Sequence, residues 1–195
     1  LVLVLEALDA EKIALSDVVT TSDYAASMGG SQVWLEPGEQ LTLQELLYAI
    51  AVGSANDAAV AVAEYLAGSE AAFAERMNQR AEELGLTNTE FSNASGLPPN
   101  LLGGSGRQVM SARDVATLAR HALTVPLLLE FVSTYEYTMR ADSTKKPVLW
   151  NYNKLLRRYP GVDGLKTGFT TEAGYCLAAT AERDGLRLIA VVLGS

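Results

Sequence analysis

The sequence predicts an α+β fold, an antiparallel sheet with helices layered against it. Three observations carry that expectation. Capped segments with helical periodicity fill the first half of the chain, and strand-like runs fill its end. Asp184-Gly185 sits between the last two runs, where a hairpin turn would be. With 195 residues, 49% of them hydrophobic, the chain can bury one well-packed core and not two, so residues 1–195 are expected to form one domain.

Residues 1–8, "LVLVLEAL", have no capping residue, no initiator Met and no charged segment ahead of them. They read as the later part of a helix whose start is missing. Thr42 followed by Glu45 forms a capping box before the apolar periodicity of residues 43–52. A second helix should start at Asn56 or Asp57, run to Leu66 and stop at Gly68. Ser69 caps a third, which Gly85 ends, and Ser111 caps a fourth with Asp114 near the positive end of its dipole. Between these last two, residues 93–108 are rich in Gly, Pro, Ser and Asn and should form a long irregular surface segment. Strands are expected at residues 136–139, at 165–169 and on both sides of the Asp184-Gly185 turn. Ser195 follows a strand-like run with no closing element, so the chain reads as a fragment.

Composition narrows the chemistry. Lys and Arg number 15 against 23 Asp and Glu, a formal charge of −8 that repels a polyanion, so nucleic acid is not an expected partner. No run approaches the ~18 apolar residues of a membrane span. Membrane association is expected only through segments absent from these residues. A single cysteine, Cys176, and a single histidine, His121, exclude an internal disulfide and a Cys/His zinc site. No metal and no cofactor are expected. Cys176, in the apolar run 175–179, should be plain core, and His121, beside Arg120 in a helical pattern, a surface or core residue.

Most catalytic constellations find no support. A Ser-His-Asp triad needs His121, which sits mid-helix away from any nucleophile-elbow pattern. No spacing singles out a glycosidase carboxylate pair. "GGSGRQ", residues 103–108, lacks the Lys-Ser/Thr of a phosphate-binding loop and reads as a flexible loop. "LKTGFT", residues 165–170, is different: Lys166 projects from a strand beside the Thr167 hydroxyl, and Gly168 leaves the backbone open to a ligand. That set can anchor a carboxylate, although an exposed strand lysine before a turn would look the same. "GSANDAA", residues 53–59, places Ser54 and Asn56 between two apolar helical segments.

Together, Ser54-Ala55-Asn56 and Lys166-Thr167-Gly168 resemble the second and third signature motifs of the penicillin-recognising serine enzymes. The likeness extends over nearly the whole chain. "ASMGGSQVWLEPGEQLTLQELLYAIAVGSANDAAVAVAEYLAGSE", "MNQRAEELGLTNTEFSNASGL", "SARDVATLARHAL" and "YPGVDGLKTGFTTEAGYCLAATAERDGLRLIAVVLG" resemble, in order, the D-alanyl-D-alanine carboxypeptidases, the low-molecular-mass penicillin-binding proteins. The resemblance is strongest to the Gram-positive, sporulation-associated branch. It implies the β-lactamase/penicillin-binding-protein fold, an antiparallel sheet flanked by helices, incomplete at its N-terminus. It also implies an extracytoplasmic enzyme of the cell wall, cleaving peptidoglycan stem peptides that end in D-Ala-D-Ala and inhibited by β-lactams.

By that resemblance Ser54 relays a proton to the departing D-alanine. Asn56 bonds the substrate amide and helps position the general base. Lys166 holds the hydrogen-bond network of Ser54 and supplies positive charge, Thr167 binds the terminal carboxylate, Gly168 keeps the strand edge clear, and the Phe169 N–H is an oxyanion donor. The family's nucleophile and base lie in a Ser-x-x-Lys just upstream of the part that "LVLVLEAL" resembles, so this chain is expected to lack them and to be inert alone. The Ser-x-x-Lys within the chain, Ser143 to Lys146, reads as a solvated connection, because Pro147 disfavours helical geometry at Lys146. Two rivals are a β-lactamase, for which no Glu-bearing deacylation loop is found, and a non-catalytic homologue that binds muropeptide or a partner.

Overall fold

In the computed structural model, which describes residues 1–141, 144 and 146–195, helices and short ribbons come first and the longer strands last. The order is α1 (Val2–Asp9), β1 (Val18–Thr20), α2 (Asp23–Ala26), β2 (Gln40–Thr42), α3 (Leu43–Gly53), α4 (Asn56–Ala67), α5 (Glu70–Glu83), β3 (Thr89–Glu90), β4 (Val109–Met110), α6 (Ala112–Ala122), α7 (Leu128–Val132), β5 (Glu136–Thr138), β6 (Val148–Trp150), α8 (Leu155–Arg158), β7 (Val162–Thr170), β8 (Gly174–Arg183) and β9 (Leu186–Val192). The architecture is the expected α+β.

The capping signals act as read. Thr42 Oγ1 accepts from the Glu45 N–H while the Glu45 carboxylate reaches back to the Thr42 N–H, a reciprocal box that starts α3. Ser69 and Ser111 accept from Ala72 and Asp114 N–H groups and start α5 and α6. Gly68 closes α4 in the left-handed conformation that glycine adopts without a Cβ clash.

The paired helices α3 and α4 form the centre of the core, where Leu43, Leu46, Leu47, Val52, Val60 and Val62 are almost fully buried. Phe131 from α7 and Met139 complete it.

Strands β7, β8 and β9 form an antiparallel sheet in that order. Asp184 and Gly185 both have positive φ, the geometry of a type I′ turn whose twist matches the strands it joins. Helix α6 packs on β8 and β9, and α7 and α8 pack on β7. The alternation of strands leaves Leu186, Leu188 and Val192 exposed on the opposite face. Because the order is β7-β8-β9, one edge of β7 has no strand partner among the described residues.

Three expectations change in detail. The strand expected at 165–169 begins at Val162, the strand expected at 136–139 is β5, and β1 to β4 and β6 form short ribbons that no strand pattern announced. Residues 93–108 contain one 3-10 turn, Pro99–Leu102, and are tied down by buried Asn93, which donates to the Leu97 carbonyl and accepts from the Gly96 N–H. Cys176 is not core: it lies half-buried opposite Gly168 on the neighbouring strand. An apolar run in a strand is split between two faces by its period of two, and only Ala179 of residues 175–179 reaches the interior.

Candidate active site

The site begins where α3 ends. Ser54 adopts φ 53° and ψ 36°, and the Ala55 N–H closes back on the Ala49 carbonyl at 3.1 Å. Helices that stop this way usually place glycine in the left-handed position, where any other residue costs roughly 1–2 kcal/mol. A serine kept there at that cost points to a use for its hydroxyl. Gly53 before it lets β6 lie close, since a Cβ would sit 3.2 Å from the Leu149 side chain.

Two residues later the chain enters α4. The Asn56 N–H donates to the Ser31 carbonyl at 2.8 Å and Nδ2 donates to the Gly29 carbonyl at 2.8 Å. A carbonyl partner fixes which end of the amide is the donor. Its Oδ1 is therefore left as an acceptor without a protein partner among the described residues. Asn56 lines the same cavity as Ser54 and Lys166, a space of about 390 Å³ with mostly apolar walls that include Ile50, Phe73, Met77 and Ala178.

Lys166 arrives from the sheet. Its Nζ donates to Ser54 Oγ at 2.8 Å across 112 sequence positions, and to the Thr167 carbonyl at 2.9 Å. Ser54 thus accepts from the ammonium and keeps its own proton free to donate elsewhere. Among the described residues no carboxylate forms an ion pair with Lys166, and burial pushes its pKa down to about 8.

The reach of Lys166 to the Thr167 carbonyl places that carbonyl on the free edge of β7. Alternation along the strand then puts the Phe169 N–H on the same edge. Asn153 covers the start of β7 by donating to the Gly164 carbonyl at 2.9 Å. The Thr167 hydroxyl has no hydrogen-bond partner among the described residues. Phe169 is 60% exposed and leans on Tyr175 with ring centroids 4.6 Å apart. A Cβ at Gly168 would meet only Cys176 at 3.9 Å, so any need for glycine there comes from a ligand rather than from packing.

All 195 residues match the family model described as D-alanyl-D-alanine carboxypeptidase. The chain belongs to that family. The D-alanyl-D-alanine carboxypeptidase DacF of Bacillus subtilis is 49% identical over 195 residues, the whole of this chain and 49% of the relative. The D-alanyl-D-alanine carboxypeptidase DacD of Francisella tularensis superposes with a TM-score of 0.89 at 29% identity, covering 99% of this chain and 57% of that one. Penicillin-binding protein D2 of Listeria monocytogenes, solved with ampicillin bound, gives 0.82 at 34% identity, covering 98% and 74%. These matches fix the fold as that of the penicillin-binding D-alanyl-D-alanine carboxypeptidases. The chain spans about half the length of the curated relatives it matches.

Within this carboxypeptidase family chain, Ser54, Asn56 and Lys166 converge on one cavity, and Thr167, Gly168 and Phe169 lie along the strand edge beside it. His121 stays away from it. Its Nε2 contacts Glu6 Oε1 at 2.7 Å, and Arg80 binds the same oxygen at 2.6 Å, so it joins α1, α5 and α6 through an ionic cluster. The rejected Ser-x-x-Lys lies outside the described residues at Ser143. Sequence reasoning missed Asn153 and Asp57, which touch the site through backbone groups. Asp57 offered one signal, an acidic residue in the first turn after Asn56, which a dipole effect alone would also explain.

Proposed function

We propose that the protein is a serine-type D-Ala-D-Ala carboxypeptidase that removes the terminal D-alanine from peptidoglycan stem peptides through an acyl-enzyme, outside the cytoplasmic membrane. The observation that carries this reading is the 2.8 Å contact between Lys166 Nζ and Ser54 Oγ, beside an Asn56 whose Oδ1 is open as an acceptor. The nucleophile and its lysine base come from a Ser-x-x-Lys preceding Leu1. Leu1, Val2 and Leu3 line the same cavity as Ser54 and Lys166, so a helix extended back from α1 starts beside them.

In the forward step the nucleophile oxygen attacks the carbonyl of the penultimate D-alanine and its proton passes to the base. The oxyanion takes a hydrogen bond from the Phe169 N–H. Asn56 Oδ1 accepts the substrate amide N–H, and the terminal carboxylate lies against Thr167 Oγ1 and the Lys166 charge. The C–N bond breaks as the Ser54 hydroxyl hands its proton to the departing amine and takes back the proton held by the base lysine, and water later cleaves the ester. β-Lactams present the same carbonyl and carboxylate and should acylate the same serine.

Two measurements bear on these roles in the complete protein. Thr167→Val removes one hydrogen bond to a carboxylate, a change of about 1.5–3 kcal/mol. Penicillin acylation should slow about tenfold or more at an unchanged melting temperature, and wild-type kinetics would remove Thr167 from the carboxylate site. If the ammonium form of Lys166 anchors the carboxylate, kcat/KM should decline as pH rises through about 8, where Lys166 loses its proton. Lys166→Arg stays charged and should lose that limb. A profile flat to pH 10 in the wild type speaks against the role.

A further inference from the structure

The side chain of Asp57 is fully buried in a place where nothing in the proposed chemistry uses it. Its carboxylate accepts from the Val33 N–H at 3.1 and 3.2 Å and from the Leu35 N–H at 3.1 Å, and it also bonds the Ala58 N–H at 2.9 Å. A buried carboxylate holding several backbone donors forms strong charge-assisted bonds. These bonds fasten the irregular segment 29–35 to the first turn of α4. The same segment supplies both carbonyls that hold Asn56, Gly29 to its Nδ2 and Ser31 to its N–H. Arg140 closes the far side, donating to the Val33 carbonyl at 3.3 Å while its guanidinium binds Glu39.

We propose that Asp57 is a positioning residue that orients Asn56 by locking residues 29–35 onto the start of α4. The amide of Asn56 can turn about its terminal torsion at little intrinsic cost. Among the described residues, the Gly29 carbonyl alone holds the side-chain amide and so fixes which end is turned away from it. That carbonyl sits four residues from Val33, where Asp57 takes hold. At Gly30 the fit is tight, because a Cβ there would lie 2.7 Å from Asn56 Nδ2 in a backbone conformation of φ +77°. The inference rests on the reading of Asn56 as a substrate contact.

Asp57→Asn keeps the size but turns one acceptor oxygen into an N–H donor that meets backbone N–H groups. In the complete protein, penicillin acylation should fall about 10- to 100-fold, the scale of a misplaced catalytic contact. The readout that separates positioning from bulk stability is a double-mutant cycle with Asn56→Ala, each variant assayed well below its melting temperature. Asp57→Asn should cost almost nothing further once Asn56 is gone. Losses that multiply instead, or a folded Asp57→Asn that acylates like the wild type, overturn the inference. Should Asp57→Asn not fold, Gly30→Ala presses on the same contact and should give the same non-additive loss. A folded Gly30→Ala with wild-type acylation also overturns it. An Asn56→Ala variant with full activity is a separate result: it removes Asn56 from the substrate site, and this inference with it.

Discussion

Residues 1–195 incubated with a large excess of benzylpenicillin should gain no covalent adduct, whereas the complete protein carrying the upstream Ser-x-x-Lys should label to one equivalent. The expectation follows from the protonation state of the site. An isolated serine is a weak nucleophile near neutral pH and needs a base to take its proton. The group that touches Ser54 is Lys166, and with a pKa of about 8 it is mostly ammonium at pH 7, a donor that cannot act as that base. Ser143 lies outside the described residues. The Phe169 N–H would also act alone, and a missing oxyanion donor costs about 2.7–4 kcal/mol. Intact-mass spectrometry at pH 7 and again at pH 9, where Lys166 is largely neutral, is the check. A stoichiometric adduct mapped to Ser54 or Ser143 would falsify the proposed origin of the nucleophile.

Local rules made much of the fold legible. Helix starts at Thr42, Ser69 and Ser111 depend on a side chain three residues from its partner, and the Asp184-Gly185 turn depends on two adjacent torsions. Each was readable from a few letters. Residues 136–138 were readable as a strand, but their partner β6 and the ribbons β1-β2 and β3-β4 are two or three residues long and exist because distant segments meet, which no periodicity of that length can announce. Cys176 shows the same limit from the other side, since an apolar neighbourhood in sequence does not say which face of a strand is covered.

The site divides along the same line. Ser54, Asn56 and Lys166 came from motif resemblance, not from spacing, because 112 positions separate the partners of the central hydrogen bond. Asp57 and Asn153 stayed hidden because their partners are backbone groups of Val33, Leu35 and Gly164. Backbone groups carry no sequence signature.

In the complete protein, Lys166→Ala should slow penicillin acylation by about 10²- to 10³-fold, the few kcal/mol expected of a charge aimed at the transition state. The variant loses the donor to Ser54, the donor to the Thr167 carbonyl and the charge facing the substrate carboxylate at once. Stability should respond differently. Burial lowers the Lys166 pKa from 10.5 to about 8, so below pH 8 the folded state holds an ammonium it disfavours. Removing it relieves that desolvation and offsets the lost hydrogen bonds, leaving the melting temperature at pH 7 near the wild-type value. Between pH 8 and 10.5 the unfolded chain binds a proton at this position that the native state has released. Stability of the wild type therefore rises with pH across that window relative to Lys166→Ala. Acylation kinetics and thermal unfolding from pH 7 to 10 measure the two halves separately. A variant that stays folded and acylates at the wild-type rate would remove Lys166 from the chemistry. A stability difference that is flat in pH would show instead that its amine is not held in the desolvated environment beside Ser54.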